Sequence, residues 1–122
     1  MNHSLHVDPD IPCIVLACEG TVTIQSVREL APQVAHKIAE TGCSRILIDM
    51  SAATLELSVM QVFESPAIMD ESKIPRTTKR AAVMPAGFSD ANFLETVTRN
   101  RGHNLRLFPN AAEAKAWLRQ DP

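Results

Sequence analysis

The chain has 122 residues, a net charge of −2, 45% apolar and 21% charged residues, the balance of an ordinary globular domain with room for one core. One Trp, four Phe and no Tyr leave few faces for stacking bases, and the slight negative charge attracts no polyanion, which argues against a nucleic-acid partner. No apolar run approaches the ~20 residues that span a bilayer, so a membrane-spanning chain is not expected.

Residues 1–10 lack the basic-then-apolar order of a secretory signal. The three cysteines, Cys13, Cys18 and Cys43, form an odd set read most simply as small buried apolar residues. Together these features predict a cytoplasmic protein with reduced thiols.

Ser4 to Val7 alternates like a short strand, and Asp8-Pro9-Asp10 reads as a turn. Ile11 to Cys18 is a stronger strand, apolar on both faces and closed by Glu19-Gly20, with Pro12 at its start. These segments predict an antiparallel hairpin. Ile24, Val27, Leu30, Ala31, Val34 and Ile38 recur at helical spacing, with Thr23 or Ser26 as cap and Gly42 as the left-handed stop. Pro32 predicts a kink, or a first turn that breaks early. His36 belongs to the solvated side.

Arg45 to Ser51 holds the run Ile46-Leu47-Ile48 and ends in Asp49-Met50-Ser51, as a covered parallel strand does when it delivers polar groups at its carboxyl end. Ala52 to Leu57 is expected to be irregular. A helix follows from about Ser58, with Val59, Val62, Phe63 and Met69 as its apolar face, kinked or split at Ser65-Pro66. Lys73 to Arg80, with Lys73, Arg76, Lys79 and Arg80, is expected to be a solvent-exposed connection. Ala81 to Met84 is a short buried strand.

Ser89 or Asp90 then caps a helix whose Phe93, Leu94 and Val97 face inward and which stops at Gly102. Leu105 to Phe108 is the last strand. Asn110 with Glu113 opens the closing helix in the manner of a capping box. The order β-β-α-β-α-β-α-β-α predicts a single α/β domain over residues 1–122. Its sheet is mixed and mostly parallel, with an N-terminal antiparallel hairpin strand and four to five helices.

Ligands of open α/β sheets bind beyond the carboxyl ends of the strands. The expected binding edge is therefore Asp49, Ser51, Ser58, Pro85, Gly87 and Asn110. No nucleophile elbow, zinc-protease motif or phosphate loop occurs, and no cofactor or metal is called for. His3, His6 and His103 have no partner legible in the sequence. No catalytic residue is assigned, and the protein is not expected to be an enzyme.

These residues resemble the STAS family, the domain of anti-sigma-factor antagonists and sulphate-transporter tails. The resemblance runs from Ile14-Val15-Leu16 and Gly20, through the helix ending at Gly42, to Ile46-Leu47-Ile48-Asp49-Met50-Ser51. The C-terminal half is more similar to a bacterial STAS-like branch sometimes described as Sec14-like. It shares Arg80-Ala81-Ala82-Val83, Phe93, Leu107-Phe108-Pro109, Glu113-Ala114 and Ala116-Trp117-Leu118.

The resemblance implies a non-catalytic regulatory module that binds a protein, a homodimer included. The alternative that it implies is a carrier of an apolar small molecule or lipid, with Leu55, Leu57, Met60, Ile68 and Met69 lining a groove. In the antagonists a serine at the start of the second helix is phosphorylated, and Ser58 falls at that position. Here Leu57 replaces the preceding acid and Val59-Met60 replaces the Ser-Gly pair, so Ser58 is expected to be a plain N-cap.

Overall fold

The computed structural model describes residues 1–9 and 11–120. Five strands form one sheet in the order β1-β2-β3-β4-β5. They are β1 (Asn2–Asp8), β2 (Cys13–Thr23), β3 (Arg45–Glu56), β4 (Lys79–Val83) and β5 (Asn104–Phe108). The helices are α1 (Ile24–Thr41), α2 (Val59–Glu71), α3 (Ala91–Asn100) and α4 (Ala111–Arg119). β1 runs antiparallel to β2, and the remaining pairs are parallel. The expected hairpin and α/β order are both present; Asp10 of the expected turn lies outside the described residues.

Right-handed crossovers in a sheet whose order follows the sequence send α1, α2 and α3 to one face. There Ile14, Leu16, Val22, Leu30, Val34, Ile46, Met50 and Ile68 form the main core. α4 covers the other face, where Ile11, Cys13, Leu47, Ala81, Val83, Ala114 and Leu118 form a second core. Strand alternation explains the split: Leu47 and its neighbours Ile46 and Ile48 point to opposite sides.

Local chemistry fixes the helix ends. Thr23 and Ser26 act together in α1: the Ser26 amide donates to Thr23 Oγ1 at 3.3 Å, and the Thr23 amide donates to Ser26 Oγ at 3.1 Å. Gly42 ends the helix at φ 69°, its N–H on Ile38 O at 2.8 Å. α1 runs unbroken through Pro32. α2 likewise is not split at Pro66. Pro66 cannot donate to the Val62 carbonyl, and the Ser65 hydroxyl does so instead at 2.8 Å. Asp90 takes the N-cap position of α3 but makes no side-chain cap bond.

Several expectations are corrected. β2 does not close at Gly20 but runs to Thr23, and residues 52–56 are strand rather than irregular. The cause is a bulge. Ala17 pairs with Asp49 and Glu19 with Ala52, so three steps along β3 oppose two along β2. The extra residue shifts the alternation by one, which carries Ala53 and Leu55 to the same side as Met50. Gly20 sits at φ 83° beside the Met1 backbone.

Lys79 and Arg80 are not in an exposed connection; each is 5% exposed within β4. On α2, the buried stripe is Val62, Pro66 and Ile68, with Met69 packed behind it. Val59 and Phe63 face solvent, and so does Phe93 on α3.

Candidate functional site

The predicted binding edge divides into separate places. Asp49 and Ser51 line an open hollow of 310 Å³ together with Asn2, Ser4, Ala17 and Glu19. Within it the Asp49 carboxylate is already engaged. Oδ1 accepts the Ser51 amide at 3.0 Å and the Ser51 hydroxyl at 2.6 Å. The bulge takes that amide out of the regular ladder, and Asp49 supplies its acceptor.

Pro85 and Gly87 line a second hollow of 280 Å³ with Leu55, Leu57 and Phe88. Ser58 follows Leu57 and caps α2. Ser58 Oγ accepts the Gln61 amide at 3.1 Å, while Gln61 Oε1 accepts the Ser58 amide at 2.9 Å. Asn110 lies at neither hollow; its Oδ1 accepts the Glu113 amide at 2.9 Å at the head of α4. The structure therefore brings Pro85 and Gly87 together in one hollow with Leu57, the residue before Ser58, and leaves Asp49–Ser51 and Asn110 apart from it.

Beside Ser58 lies a feature the sequence reading missed. Val59, Met60 and Phe63 are 56%, 63% and 51% exposed. They occupy the first two turns of α2. The signal was present: four apolar residues among Val59 to Phe63 exceed what a single helical stripe can bury.

A second missed feature is polar. His103, which the sequence leaves without a partner, is buried and meets Asp70 Oδ1 through Nε2 at 3.0 Å. Arg76 holds the same carboxylate with Nε at 3.2 Å and Nη2 at 3.0 Å. The Arg76 hydrogen bond leads in keeping the Asp70 pKa below the usual carboxylate value, against a smaller opposing effect of desolvation. Burial, reinforced by the Arg80 charge, pushes His103 down. His103 Nδ1 has no partner among the described residues, which fits a neutral ring donating from Nε2.

The two cations of β4 face opposite ways. Lys79 Nζ donates to the Trp117 and Gln120 carbonyls at 2.6 and 2.9 Å and stands 4.4 Å from the Trp117 ring centroid. It thereby caps the negative end of α4. Arg80 points into the main core, where its Nε and Nη2 have no partner among the described residues.

Burial comes first in raising the pKa of both Cys13 and Cys18, followed by Asp8 and Asp49 respectively. Both thiols therefore stay protonated and are not poised as nucleophiles. Among the described residues no cluster of His, Cys, Asp or Glu could hold a metal ion, and no helix is long and apolar enough to cross a membrane.

No family model and no curated protein matches this chain. Solved structures do. An anti-sigma factor antagonist from Mycobacterium paratuberculosis is similar at 17% identity, over 98% of this chain and 94% of that one, with a TM-score of 0.66. An uncharacterised DUF3478-family protein with a SpoIIAA-like fold, from Shewanella loihica, is similar at 16% identity over 96% and 92%, with a TM-score of 0.62. The phosphorylated form of the Bacillus cell fate determinant SpoIIAA is similar at 12% identity over 97% and 100%, with a TM-score of 0.57. With five strands in sequence order, one antiparallel edge and four helices among the described residues, this chain has a SpoIIAA-like α/β fold.

Proposed function

We propose that this chain is a non-catalytic regulatory module that docks a protein partner through the first two turns of α2. The observation that carries the reading is the exposure of Val59, Met60 and Phe63 side by side. Such a cluster gains nothing in solution and marks a surface that another protein covers. The similarity in fold to anti-sigma factor antagonists supports a protein as that partner. Ser58 heads the same surface, but its hydroxyl is committed to the Gln61 amide and serves as an N-cap.

The test is the double variant Met60→Glu/Phe63→Glu. Both side chains are exposed, so stability should change by less than about 0.5 kcal/mol. Affinity purification from the native cell under cross-linking should recover a defined protein with the wild type and lose it with the variant. Equal recovery with both proteins would reject α2 as the docking surface. Sedimentation of the purified chain separates this outcome from self-association, which would appear as a dimer that the same substitutions dissolve.

A further inference from the structure

Arg80 is a cation placed where a cation is costly. It is 5% exposed, it projects from β4 into the main core, and its Nε and Nη2 have no partner among the described residues. The carboxylate whose charge reaches it, Asp70, is already committed to Arg76 and His103. Buried guanidinium groups are normally paired, because an isolated one forfeits its hydration.

Two cavities adjoin this group. One of 120 Å³ lies under α2 and α3, and one of 90 Å³ lies under α1. Apart from Arg80 their walls are almost wholly aliphatic. Both are lined by Val27, Ile48, Met50, Met69 and Arg80, so they adjoin. Two of the shared residues are methionines, the side chains that reshape most readily. An apolar cavity of about 150 Å³ accepts benzene; joined past Met50 and Met69, these two exceed that size. The larger cavity also shares Leu55 and Leu57 with the surface hollow at Pro85 and Gly87, so the two adjoin.

We propose that the core between the sheet and α1–α3 binds a small amphipathic carboxylate, its head on the Arg80 guanidinium and its apolar tail along the cavities toward Leu55 and Leu57. The chemistry is complementary. A carboxylate accepts two parallel N–H bonds from a guanidinium, and its aliphatic tail replaces empty space against aliphatic walls. The volume suits an acid of about six to eight carbons and excludes a two-chain phospholipid. This inference stands on the interior alone and does not depend on docking at α2.

The test uses hexanoate and octanoate as probes, with 1-hexanol as the uncharged tail and inorganic phosphate as a head without a tail. Calorimetric titration and thermal shift on the wild type should show binding of at least one acid at least tenfold tighter than hexanol, and no binding of phosphate. The Nε–H resonance of Arg80 should shift on titration with the acid. Arg80→Met should abolish the preference for acid over alcohol. Ala82→Leu fills the larger cavity and keeps Arg80, so it should weaken acid binding at least tenfold, and it serves as the check should Arg80→Met fail to fold. Equal affinity for acid and alcohol, phosphate binding as strong as that of the acids, or unchanged acid affinity in Ala82→Leu would overturn the proposal. So would the absence of any shift with either acid.

Discussion

Replacing Arg80 by Met should make the unliganded protein more stable. Burial pushes the Arg80 guanidinium down from its ordinary value to about 10, only partly offset by Asp70. A drop of that size corresponds to about 3 kcal/mol against the charged form. The sign follows from linkage. The unfolded chain holds its proton up to a higher pH than the folded one, so the penalty is complete below about pH 10 and fades as pH rises above it. At neutral pH the fold carries all of it. Methionine keeps the unbranched apolar stem and discards the charge, and replacing buried charges by apolar side chains of similar size stabilises by about 1–4 kcal/mol where it succeeds. A gain of about 2 kcal/mol is expected, a rise in Tm of roughly 6–12 °C for a domain of this size.

Urea denaturation should show a higher midpoint at unchanged slope, with the difference constant between pH 8 and 9, above the range in which removal of the Arg80 charge alters His103. A variant less stable than wild type by 1 kcal/mol or more would refute the reasoning. It would mean that the guanidinium is satisfied in the folded core.

Two further outcomes follow from the polar contacts. The folded-state pKa of His103 is depressed, with burial the leading cause ahead of Arg80. The unfolded chain therefore binds the extra proton first, and stability should fall as pH drops below about 6.5; His103→Gln should flatten that slope in urea midpoints. A wild type that gains stability on acidification in this range would show that attraction to Asp70 dominates instead. Ser58→Ala removes the acceptor for the Gln61 amide and should cost about 1 kcal/mol by thermal denaturation. Phosphate found on Ser58 in protein isolated from its own cells would show that the residue is more than a cap.

The element order was legible because helical and strand periodicities alternate cleanly, and Gly42, Gly102 and Asn110 mark their boundaries. Three places were not. The second half of β3 was hidden because the bulge at Ser51 breaks the period of two on which strand reading depends. Lys79 and Arg80 read as solvent because charged side chains are seldom buried; their burial rests on Trp117 in one case and on an apolar cavity in the other. α2 misled because Val59 and Phe63 carry the residue types of a core face while Val62, Pro66 and Ile68 form it. Of the candidate edge, Pro85 and Gly87 share a hollow with Leu57, while Asp49, Ser51 and Asn110 lie elsewhere. Arg80 was not legible, since nothing local marks a strand cation as lacking an acceptor.

The bulge also gives β3 something like a reading frame. Up to Met50 the even-numbered residues meet the core under α1–α3; beyond Ser51 it is Ala53 and Leu55 that do, with Thr54 and Glu56 turned to water. Removing Ser51 would straighten the bulge into a regular alternation that still turns Ala53 and Leu55 to the core, whereas removing two residues there would act as a frameshift in three dimensions, presenting Glu56 to the core and Leu55 to solvent. The bulge therefore takes up one residue that the alternation does not count, and the Asp49–Ser51 contact marks where the count restarts.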